Sequence, residues 1–340
     1  MSAPPSSNLA RMAADRRFEG RRVAVTGAGG FIGGAACRRL VAGGAEVFGI
    51  EVDEGAAERV REAGARFIRA DVAGRDGLDD ALAGAELVIH TAALVHEGRE
   101  MDEFVRVNVR GTANVLDAAD AAGVKRVVHV SSVVVYGYHA LGELDESAPL
   151  RGYGLPYIDT KAASDRLARR RGAVVVRPGD VYGPGGPQWI LRPAELARDG
   201  RMILPASGGT MLPVYVDDLV EALLAGLERG RPGRAYTVWD GEPISFEEHF
   251  RRVAEMVGGD PPRLLPRPAL AAAASAMEAL ARLRGRQAEF SPAAITYVER
   301  RGTASNLRAR EELGWSPMMS YDEGMGRTAE WLRDSGTVAP

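Results

Sequence analysis

The 340-residue chain has little cysteine, little histidine and almost no net charge, and each shortage argues against a class of function. Its single cysteine, Cys37, cannot form an intrachain disulfide, and a buried structural thiol is a better interpretation than a nucleophile. Basic residues number 43 against 46 acidic ones, so no basic face for nucleic acid is expected. The histidines show no metal-ligand spacing, and we predict no metal site; they are His90, His96, His129, His139 and His249.

Long apolar runs are absent as well. The first 20 residues lack the apolar segment of a signal peptide, and we expect 1–20 to form a disordered N-terminal tail. The alanine-rich stretch at 268–285 is interrupted by Glu278 and is too weakly apolar to span a bilayer. These features predict a cytoplasmic protein without a membrane span.

What the chain does contain is a regular alternation of short β-branched runs and helical segments. The runs lie at 21–27, 45–54, 65–72, 85–93, 124–132 and 173–183. Strands that alternate with helices predict an α/β fold with a Rossmann-type, doubly wound parallel sheet. We place the nucleotide-binding domain at 21–183 plus about 214–240. The turn-rich chain after Gly183 predicts a smaller C-terminal substrate lobe at 184–213 and 241–335.

The first predicted strand runs into a glycine-rich turn. In TGAGGFIGG, Gly27, Gly30 and Gly33 have the spacing G-x-x-G-x-x-G. Such glycines permit a tight turn, a close approach of the backbone to a pyrophosphate, and close packing of the helix on the strand. The N–H groups at the start of that helix, around Phe31 and Ile32, would face the phosphates. A glycine pattern alone is weak, but here a strand precedes it and a helix follows.

Acidic residues end the second and third predicted strands. Glu51 stands about 20 residues beyond the glycines, where a carboxylate binds the ribose hydroxyls of a dinucleotide and repels a 2′-phosphate. NAD is therefore predicted over NADP. Asp71 and Val72 end the third strand, where the carboxylate can accept a hydrogen bond from the adenine amino group. A turn or a helix cap explains Asp71 equally well when that residue is taken alone.

Tyr157 and Lys161 stand at i and i+4 just after a proline, so a helix would place both on one face. Ser132 follows the fifth strand, whose end faces the crevice expected to hold the nicotinamide. Together the three side chains would form a proton-transfer unit, in which Ser132 binds the substrate oxygen and Lys161 also binds the nicotinamide ribose. We predict that Tyr157 takes or gives the proton, with its pKa lowered by the ammonium and the nicotinamide. The alternative is a surface helix whose tyrosine lies against a lysine stem.

A set of motifs resembles the extended short-chain dehydrogenases/reductases over roughly residues 20–335. The motifs are TGAGGFIG, DV, HTAA, NVRGTANVL, SSVVVYG, YIDTK, RPGDVYGPG and VYVDDLV. The resemblance implies that Asn108 orders the active-site helix and its water. It implies a homodimer formed by two helices per subunit, here around 103–122 and 157–171. It also implies a set of cofactor-lining residues, namely Thr91, Ala92, Ala93, Pro178 and Val181.

Two positions depart from the nucleotide-sugar epimerases and dehydratases of that superfamily. Those enzymes typically carry Asn before VYGP and an Arg-Asp-Phe run before the VYVDD-like segment. Here Asp180 takes the first place and would repel a diphosphate, while Met211 cannot make the arginine contact that phosphates favour. A dehydratase would also want an acid pair after the active-site serine, where valines stand. We therefore predict an apolar substrate pocket whose wall includes Leu94, Val95, Val133, Val134 and Trp189. Asp180 and Met211 are also predicted to lie near the substrate. About half of the apolar residues are expected to face the core instead of the pocket.

VIHTAALV, YIDTK and the apolar wall resemble the 3β-hydroxysteroid dehydrogenase-like branch, which oxidises a secondary alcohol on a lipophilic ring with NAD. We accordingly predict an NAD-dependent oxidoreductase that oxidises a secondary alcohol, or reduces the ketone, on an apolar, steroid-like or polycyclic substrate. Two alternatives stay open: a nucleotide-sugar epimerase or dehydratase with tightly bound NAD, and a non-catalytic NAD-sensing protein. The intact Ser132, Tyr157 and Lys161 argue against the second alternative.

Overall fold

The structure is a computed structural model that describes residues 16–75, 77–95, 100–138, 142–283 and 292–336. Residues 1–15 of the predicted tail, together with His96 and His139, lie outside these ranges. The strands are β1 (Arg22–Thr26), β2 (Glu46–Glu51), β3 (Arg66–Arg69), β4 (Leu87–His90), β5 (Arg126–Val130), β6 (Glu143–Leu144), β7 (Val174–Pro178), β8 (Asp180–Tyr182), β9 (Ile203–Pro205), β10 (Thr210–Met211), β11 (Pro213–Tyr215), β12 (Ala235–Val238), β13 (Ile244–Ser245), β14 (Arg263–Leu265) and β15 (Thr303–Ala304).

Helices connect these strands on both sides of the sheet. They are α1 (Phe31–Ala42), α2 (Ala57–Glu62), α3 (Leu78–Leu82), α4 (Met101–Phe104), α5 (Gly111–Ala121), α6 (Pro156–Arg170), α7 (Arg192–Arg198), α8 (Val216–Arg229), α9 (Phe246–Met256), α10 (Arg267–Leu283), α11 (Pro292–Val298), α12 (Leu307–Leu313) and α13 (Tyr321–Ser335). Wider π-helical turns occur at Val105–Arg110, between α4 and α5, and at Pro187–Leu191 before α7. Short 3₁₀ turns occur at Glu54–Ala56 and Val133–Tyr136.

Seven parallel strands form the central sheet in the order β12-β7-β5-β4-β1-β2-β3. This order confirms the predicted doubly wound fold. From β1 the chain first builds outward through β2 and β3, and then crosses over to β4 on the other side. The crevice beyond the carboxyl ends of β1 and β4 is thus the topological switch point, where open α/β sheets bind ligands.

Burial on both faces explains why the strands are almost continuously apolar. On β1, Val23 and Val25 join the core beneath α1 and α8, while Ala24 between them joins the core beneath α3 and α5. Cys37 lies on the buried face of α1, and burial raises the pKa of its thiol to about 12. The expected structural role of this cysteine is confirmed, because such a thiol is protonated and inert at neutral pH.

The run predicted as one strand at 173–183 is two strands that belong to different sheets. A side chain at Gly179 would place its Cβ 2.1 Å from the carbonyl oxygen of Leu212, so the backbones approach there as only glycine allows. After this glycine the chain leaves the central sheet, and β8 pairs in parallel with β11. The change of sheet puts Asp180 at the entrance to the smaller lobe.

The smaller lobe has its own aromatic core, in which Trp189, Phe246 and Phe250 pack together. Part of its predicted range belongs elsewhere, since Leu313 and Trp315 pack in the core of the central sheet. Apart from this C-terminal part, the predicted boundaries between the two domains at 183 and 240 stay predictions.

The predicted disordered tail, 1–20, extends too far at its C-terminal end. Phe18 is 2% exposed and packs in the core beneath α1 and α8. Arg17 pairs with Glu221 and Glu228 on α8, which fixes this turn to the domain. Residues 16–20 are therefore part of the packed structure. Over the described ranges, no helix is long and apolar enough to cross a membrane.

Candidate active site

The glycine-rich turn forms a cradle between β1 and α1. Gly27 has a φ of +70°, and a Cβ there would lie 2.9 Å from the Ala92 Cα. A Cβ at Gly33 would lie 2.1 Å from the carbonyl oxygen of Gly27. At Gly30, α1 begins with no side-chain cap and no acidic residue in its first turn. Helix N–H groups and the positive dipole end are thus available to a pyrophosphate, so this turn fits a dinucleotide.

Glu51 lies beside the cradle at the end of β2. One carboxylate oxygen accepts a hydrogen bond from the Gly29 amide at 3.2 Å, and the other accepts from the Val52 amide at 2.8 Å. These contacts hold the negative charge next to the glycine turn, where the ribose of a dinucleotide would lie. This position suits NAD and disfavours the 2′-phosphate of NADP.

For Asp71 at the end of β3, the structure favours the interpretation as a turn residue over that as an adenine-binding residue. Asp71 accepts a hydrogen bond from the Ala73 amide at 2.9 Å, an arrangement that closes a turn. The Val72 side chain is buried in the core, and its carbonyl oxygen accepts from Asn114 at 2.8 Å. Asp71 keeps a second carboxylate oxygen, 3.9 Å from Arg106, so an adenine contact stays a prediction for it.

The HTAA segment lies directly over the glycine turn. Thr91 donates to the Thr26 carbonyl oxygen at 2.7 Å, and the Ala92 amide donates to Thr26 Oγ1 at 3.3 Å. Ala93 follows them at the surface of the crevice, where it is partly exposed. The predicted cofactor-lining segment is therefore held by Thr26, the last residue of the strand that leads into the glycine turn.

His90 extends this segment into a buried hydrogen-bond chain that the sequence did not predict. Thr112 donates its hydroxyl hydrogen to the Asn108 carbonyl oxygen at 2.7 Å, so it must accept from His90 Nε2 at 3.1 Å. Thr26 then donates to His90 Nδ1 at 2.7 Å. Burial lowers the pKa of His90 to about 3, so the ring is neutral. The chain connects the cofactor-facing loop to the π-helical turn around Asn108.

Asn108 lies in that π-helical turn, a feature that often marks functional sites. Its amide group holds the backbone of Leu94 from both sides, accepting from the amide at 2.7 Å and donating to the carbonyl oxygen at 3.0 Å. It also donates to Thr160 on α6 at 3.1 Å. The side chain therefore joins the loop after β4 to the helix that carries Tyr157 and Lys161.

Ser132, Tyr157 and Lys161 meet at the carboxyl end of β5. Helix α6 starts with Pro156 at its first turn, which places Tyr157 and Lys161 one turn apart on the inner face. Ser132 is hydrogen-bonded to the Tyr157 hydroxyl. The Lys161 ammonium is 3% exposed and donates to the Val130 carbonyl oxygen at 2.6 Å. The sequence prediction that these three side chains converge agrees with this geometry.

The protein's own groups shift the pKa of Tyr157 upward, and the lowering predicted for the site with a bound nicotinamide stays a prediction. Burial raises the pKa of Tyr157 to about 12; the hydrogen bond from Ser132 opposes the shift, and the charge of Asp180 adds to it. The Lys161 ammonium donates to the Val130 carbonyl oxygen, and burial lowers the pKa of Lys161 to about 8. The phenol is therefore protonated at neutral pH and is ready to donate a proton.

A buried ion pair supports Lys161 from one turn further along α6. Arg177 and Asp165 are both fully buried and share two hydrogen bonds of 2.8 Å. Ser131 also donates to Asp165 at 2.7 Å. The charge of Asp165 raises the pKa of Lys161 against the effect of burial. Sequence reasoning read Arg177 only as part of the RPGD motif.

The predicted substrate wall is mostly core. Met211 is fully buried in the core of the smaller lobe, so its prediction as a residue near the substrate is wrong. Trp189 packs in the same core, and Val133 packs beneath the sheet. Leu94 is partly exposed and Val95 is 46% exposed, so both can reach a ligand. Val134 belongs to a small cluster beside Tyr157.

Asp180 is paired, which corrects the idea that it repels a diphosphate as a free charge. Its carboxylate is 1% exposed and forms a salt bridge with Arg300. Sequence reasoning missed Arg300 because no local pattern links residues 120 positions apart. Four further cofactor-lining candidates stay predictions, and the structure gives their positions: Pro178 ends β7, Val181 lies on β8 against the sheet core, Phe31 and Ile32 open α1, and the Phe31 ring faces Gly186.

Within the described ranges, no group of three or more histidine, cysteine, aspartate or glutamate side chains could hold a metal ion. The site thus consists of a dinucleotide cradle, an acidic residue beside it, and a serine, tyrosine and lysine at the next strand end. Such a cofactor would supply or accept a hydride, while the protein would orient the reactants and move a proton.

Comparison with known proteins agrees with this arrangement. The profile of the NAD dependent epimerase/dehydratase family matches residues 23–239. The chain is 32% identical over 332 residues to 4-hydroxy-2-methyl-3-oxo-4-farnesyl-3,4-dihydroquinoline-1-oxide ketoreductase of Stigmatella aurantiaca, covering 93% of this chain and 96% of that protein. It is 31% identical over 330 residues to 2-alkyl-3-oxoalkanoate reductase of Stenotrophomonas maltophilia, covering 90% and 98%.

A solved structure of MoeE5 in complex with UDP-glucose and NAD superposes with a TM-score of 0.74 at 27% identity, covering 92% of this chain and 99% of that one. The family match spans the cradle, the acidic strand ends and the serine, tyrosine and lysine. The chain therefore belongs to the NAD-dependent epimerase/dehydratase family, within the extended short-chain dehydrogenases/reductases, and is an NAD-dependent enzyme that acts on a small molecule.

Proposed function

We propose that this enzyme is a ketoreductase that reduces the ketone of an apolar 3-oxo compound to a secondary alcohol, and that it can run in reverse as an alcohol dehydrogenase. The observation that carries the proposal is the hydrogen bond between Tyr157 and Ser132 beside an apolar cluster. Two relatives support it, because both are named as reductases of compounds with a 3-oxo group and an apolar chain.

The surroundings of Tyr157 suit an apolar and partly planar substrate. Val134 and Ile158 form its apolar base, with Leu155 packed against them. Tyr138 stacks on Tyr153 with ring centroids 5.9 Å apart. Aromatic surfaces favour flat rings by stacking. A polycyclic or steroid-like substrate, as the sequence predicts, remains part of this proposal.

The proton transfer follows from the hydrogen bonds. NADH, which the glycine turn and Glu51 would hold, would supply the hydride that the carbonyl carbon accepts. Ser132 is positioned to donate to the carbonyl oxygen, and Tyr157 gives its hydroxyl proton to the same oxygen as negative charge develops there. The Lys161 ammonium stabilises the resulting phenolate until a proton from solvent restores Tyr157. In the reverse direction the phenolate form of Tyr157 accepts the proton of the alcohol.

The reduction should weaken as the pH rises through about 8. Burial lowers the pKa of Lys161 to about 8, so the ammonium is present below that pH and lost above it. Tyr157 keeps its proton to much higher pH, so the lysine determines this limb of the profile. The quantity to measure is kcat/KM for NADH, which reports groups of the free enzyme. The residual activity of Lys161→Met should lack the decline, and a decline that persists in that variant would contradict the assignment.

Substrate class can be tested by following NADH absorbance with a 2-alkyl-3-oxoalkanoate, a keto-steroid and UDP-glucose in parallel. We expect NADH consumption with the first or second compound. The chief alternative is a nucleotide-sugar epimerase or dehydratase with tightly bound NAD, which the likeness to MoeE5 with UDP-glucose supports. A changed sugar product without net consumption of NADH would establish that alternative and overturn the ketoreductase.

Two further predictions, on the oligomeric state and the cellular location, accompany the proposal. The family resemblance supports a homodimer through the helices that here are α5 and α6, which pack against each other along the edge of the site. The cytoplasmic location predicted from the sequence stays a prediction.

A further inference from the structure

Asp180 is the centre of a buried polar unit that reaches into three segments of the smaller lobe. One carboxylate oxygen accepts from the Leu212 amide at 2.9 Å and from Arg300. The other accepts from the Tyr297 hydroxyl at 2.7 Å. Asp180 and Arg300 are 1% and 6% exposed. The carboxylate is thus fully used by groups of this chain.

Arg300 is fixed as firmly as its partner. Its Nε donates to the Thr210 carbonyl oxygen at 3.1 Å. The guanidinium lies between two rings, 4.6 Å from the Tyr297 centroid and 5.1 Å from the Phe246 centroid. One terminal nitrogen donates to Asp180, while the other, Nη1, is buried and has no hydrogen-bond partner among the residues that the structure describes. A buried donor without a partner is rare in proteins and indicates a potential contact with a ligand.

This unit lies next to the proton donor. Tyr297 and Tyr157 pack against the same cluster, formed by Val134, Tyr138 and Ile158. The charge of Asp180 also acts on the Tyr157 phenol. Arg300 is therefore a buried cation beside the place where the substrate must meet Tyr157, and its charge is cancelled by Asp180.

We propose that Asp180 is a specificity-determining residue, which neutralises Arg300 and so excludes phosphate-bearing substrates from the site. A guanidinium binds phosphates well because its planar donors are free to form two parallel bonds. Here one of those donors is taken by the Asp180 carboxylate, and the pair has no net positive charge to attract a diphosphate. A site discriminates against a ligand when the contact that the ligand needs is already used. The inference rests on the proposed function only for the position of the substrate beside Tyr157.

The test is binding of inorganic pyrophosphate and UDP to enzyme saturated with NAD, measured by calorimetry. Saturation with NAD keeps these probes away from the cofactor's own phosphate site. The native enzyme should bind neither probe at millimolar concentration. Asp180→Asn should gain affinity for both by at least about tenfold, the effect of one additional charge-assisted contact. The double variant Asp180→Asn/Arg300→Met should lose the gain, whereas Asp180→Asn/Arg201→Met should keep it, because Arg201 is exposed beside Asp199.

Removal of the carboxylate disturbs three hydrogen bonds, so the fold of each variant is checked first by circular dichroism. Should Asp180→Asn fail to fold, the native enzyme still decides the question. Binding of pyrophosphate to the NAD-saturated native enzyme, lost in Arg300→Met, would overturn the proposal. So would a folded Asp180→Asn variant that binds no pyrophosphate. Calorimetry needs no turnover, so a failure of the ketoreductase assignment is detected separately, in the NADH assay.

Discussion

Replacing Tyr157 by phenylalanine should lower kcat for ketone reduction by about 1,000-fold, within the range that a positioned proton donor contributes. The Tyr157 phenol is hydrogen-bonded to Ser132, and burial raises its pKa to about 12, which keeps the proton in place. Phenylalanine preserves the packing against Val134 and Ile158 but has no proton to give. The cradle at Gly27 and Gly33 is untouched, so NADH affinity should stay nearly unchanged.

The measurement compares steady-state kcat with NADH binding followed by fluorescence. A matched control is Tyr236→Phe, whose hydroxyl contacts Arg231 and Glu312 at the far edge of the sheet. That variant should keep its turnover. Near-normal activity in Tyr157→Phe would mean that another group donates the proton. Equal loss of NADH binding and turnover would mean that the ring serves the cofactor instead.

The parts of the site that depend on neighbouring residues were predictable from the sequence. Gly27, Gly30 and Gly33 lie within one turn, and the need for close backbone contact there allows little else than glycine. Tyr157 and Lys161 share a face because helical geometry fixes residues four apart. The doubly wound parallel sheet followed from the alternation of strands and helices. These inferences all use spacing along the chain, which local geometry converts directly into position.

The errors concern contacts between residues far apart in the chain. No residue close to Asp180 in the sequence indicates that Arg300 neutralises it. Likewise, no residue close to Met211 in the sequence indicates that Met211, on β10, is buried in the core of the smaller lobe. The pKa of Tyr157 depends on burial, which the sequence does not report, and on the charge of Asp180, a residue 23 positions further along the chain. Electrostatic arguments from sequence name the charges correctly but leave out their partners.

Arg177 is another charged residue whose partner the sequence does not show. It should contribute more to the stability of the fold than any other polar side chain discussed above. Arg177→Met should lower the free energy of unfolding by about 3–5 kcal/mol, the usual result of removing one partner from a buried ion pair. The variant leaves the Asp165 carboxylate buried without its two 2.8 Å bonds and leaves Tyr136 without its 3.0 Å donor. Urea unfolding followed by circular dichroism measures the loss.

A double variant, Asp165→Leu/Arg177→Met, separates stability from catalysis. Because both charges are gone, most of the stability should return, as is usual when a buried pair is replaced by apolar side chains. Activity should not return with it. Asp165 raises the pKa of Lys161, which burial already lowers to about 8, so without that carboxylate the ammonium is lost at lower pH. The decline in kcat/KM for NADH should then move below 8. A double variant with a native pH profile would show that Asp165 serves the fold alone, and a stable Arg177→Met would show that the pair contributes little to either.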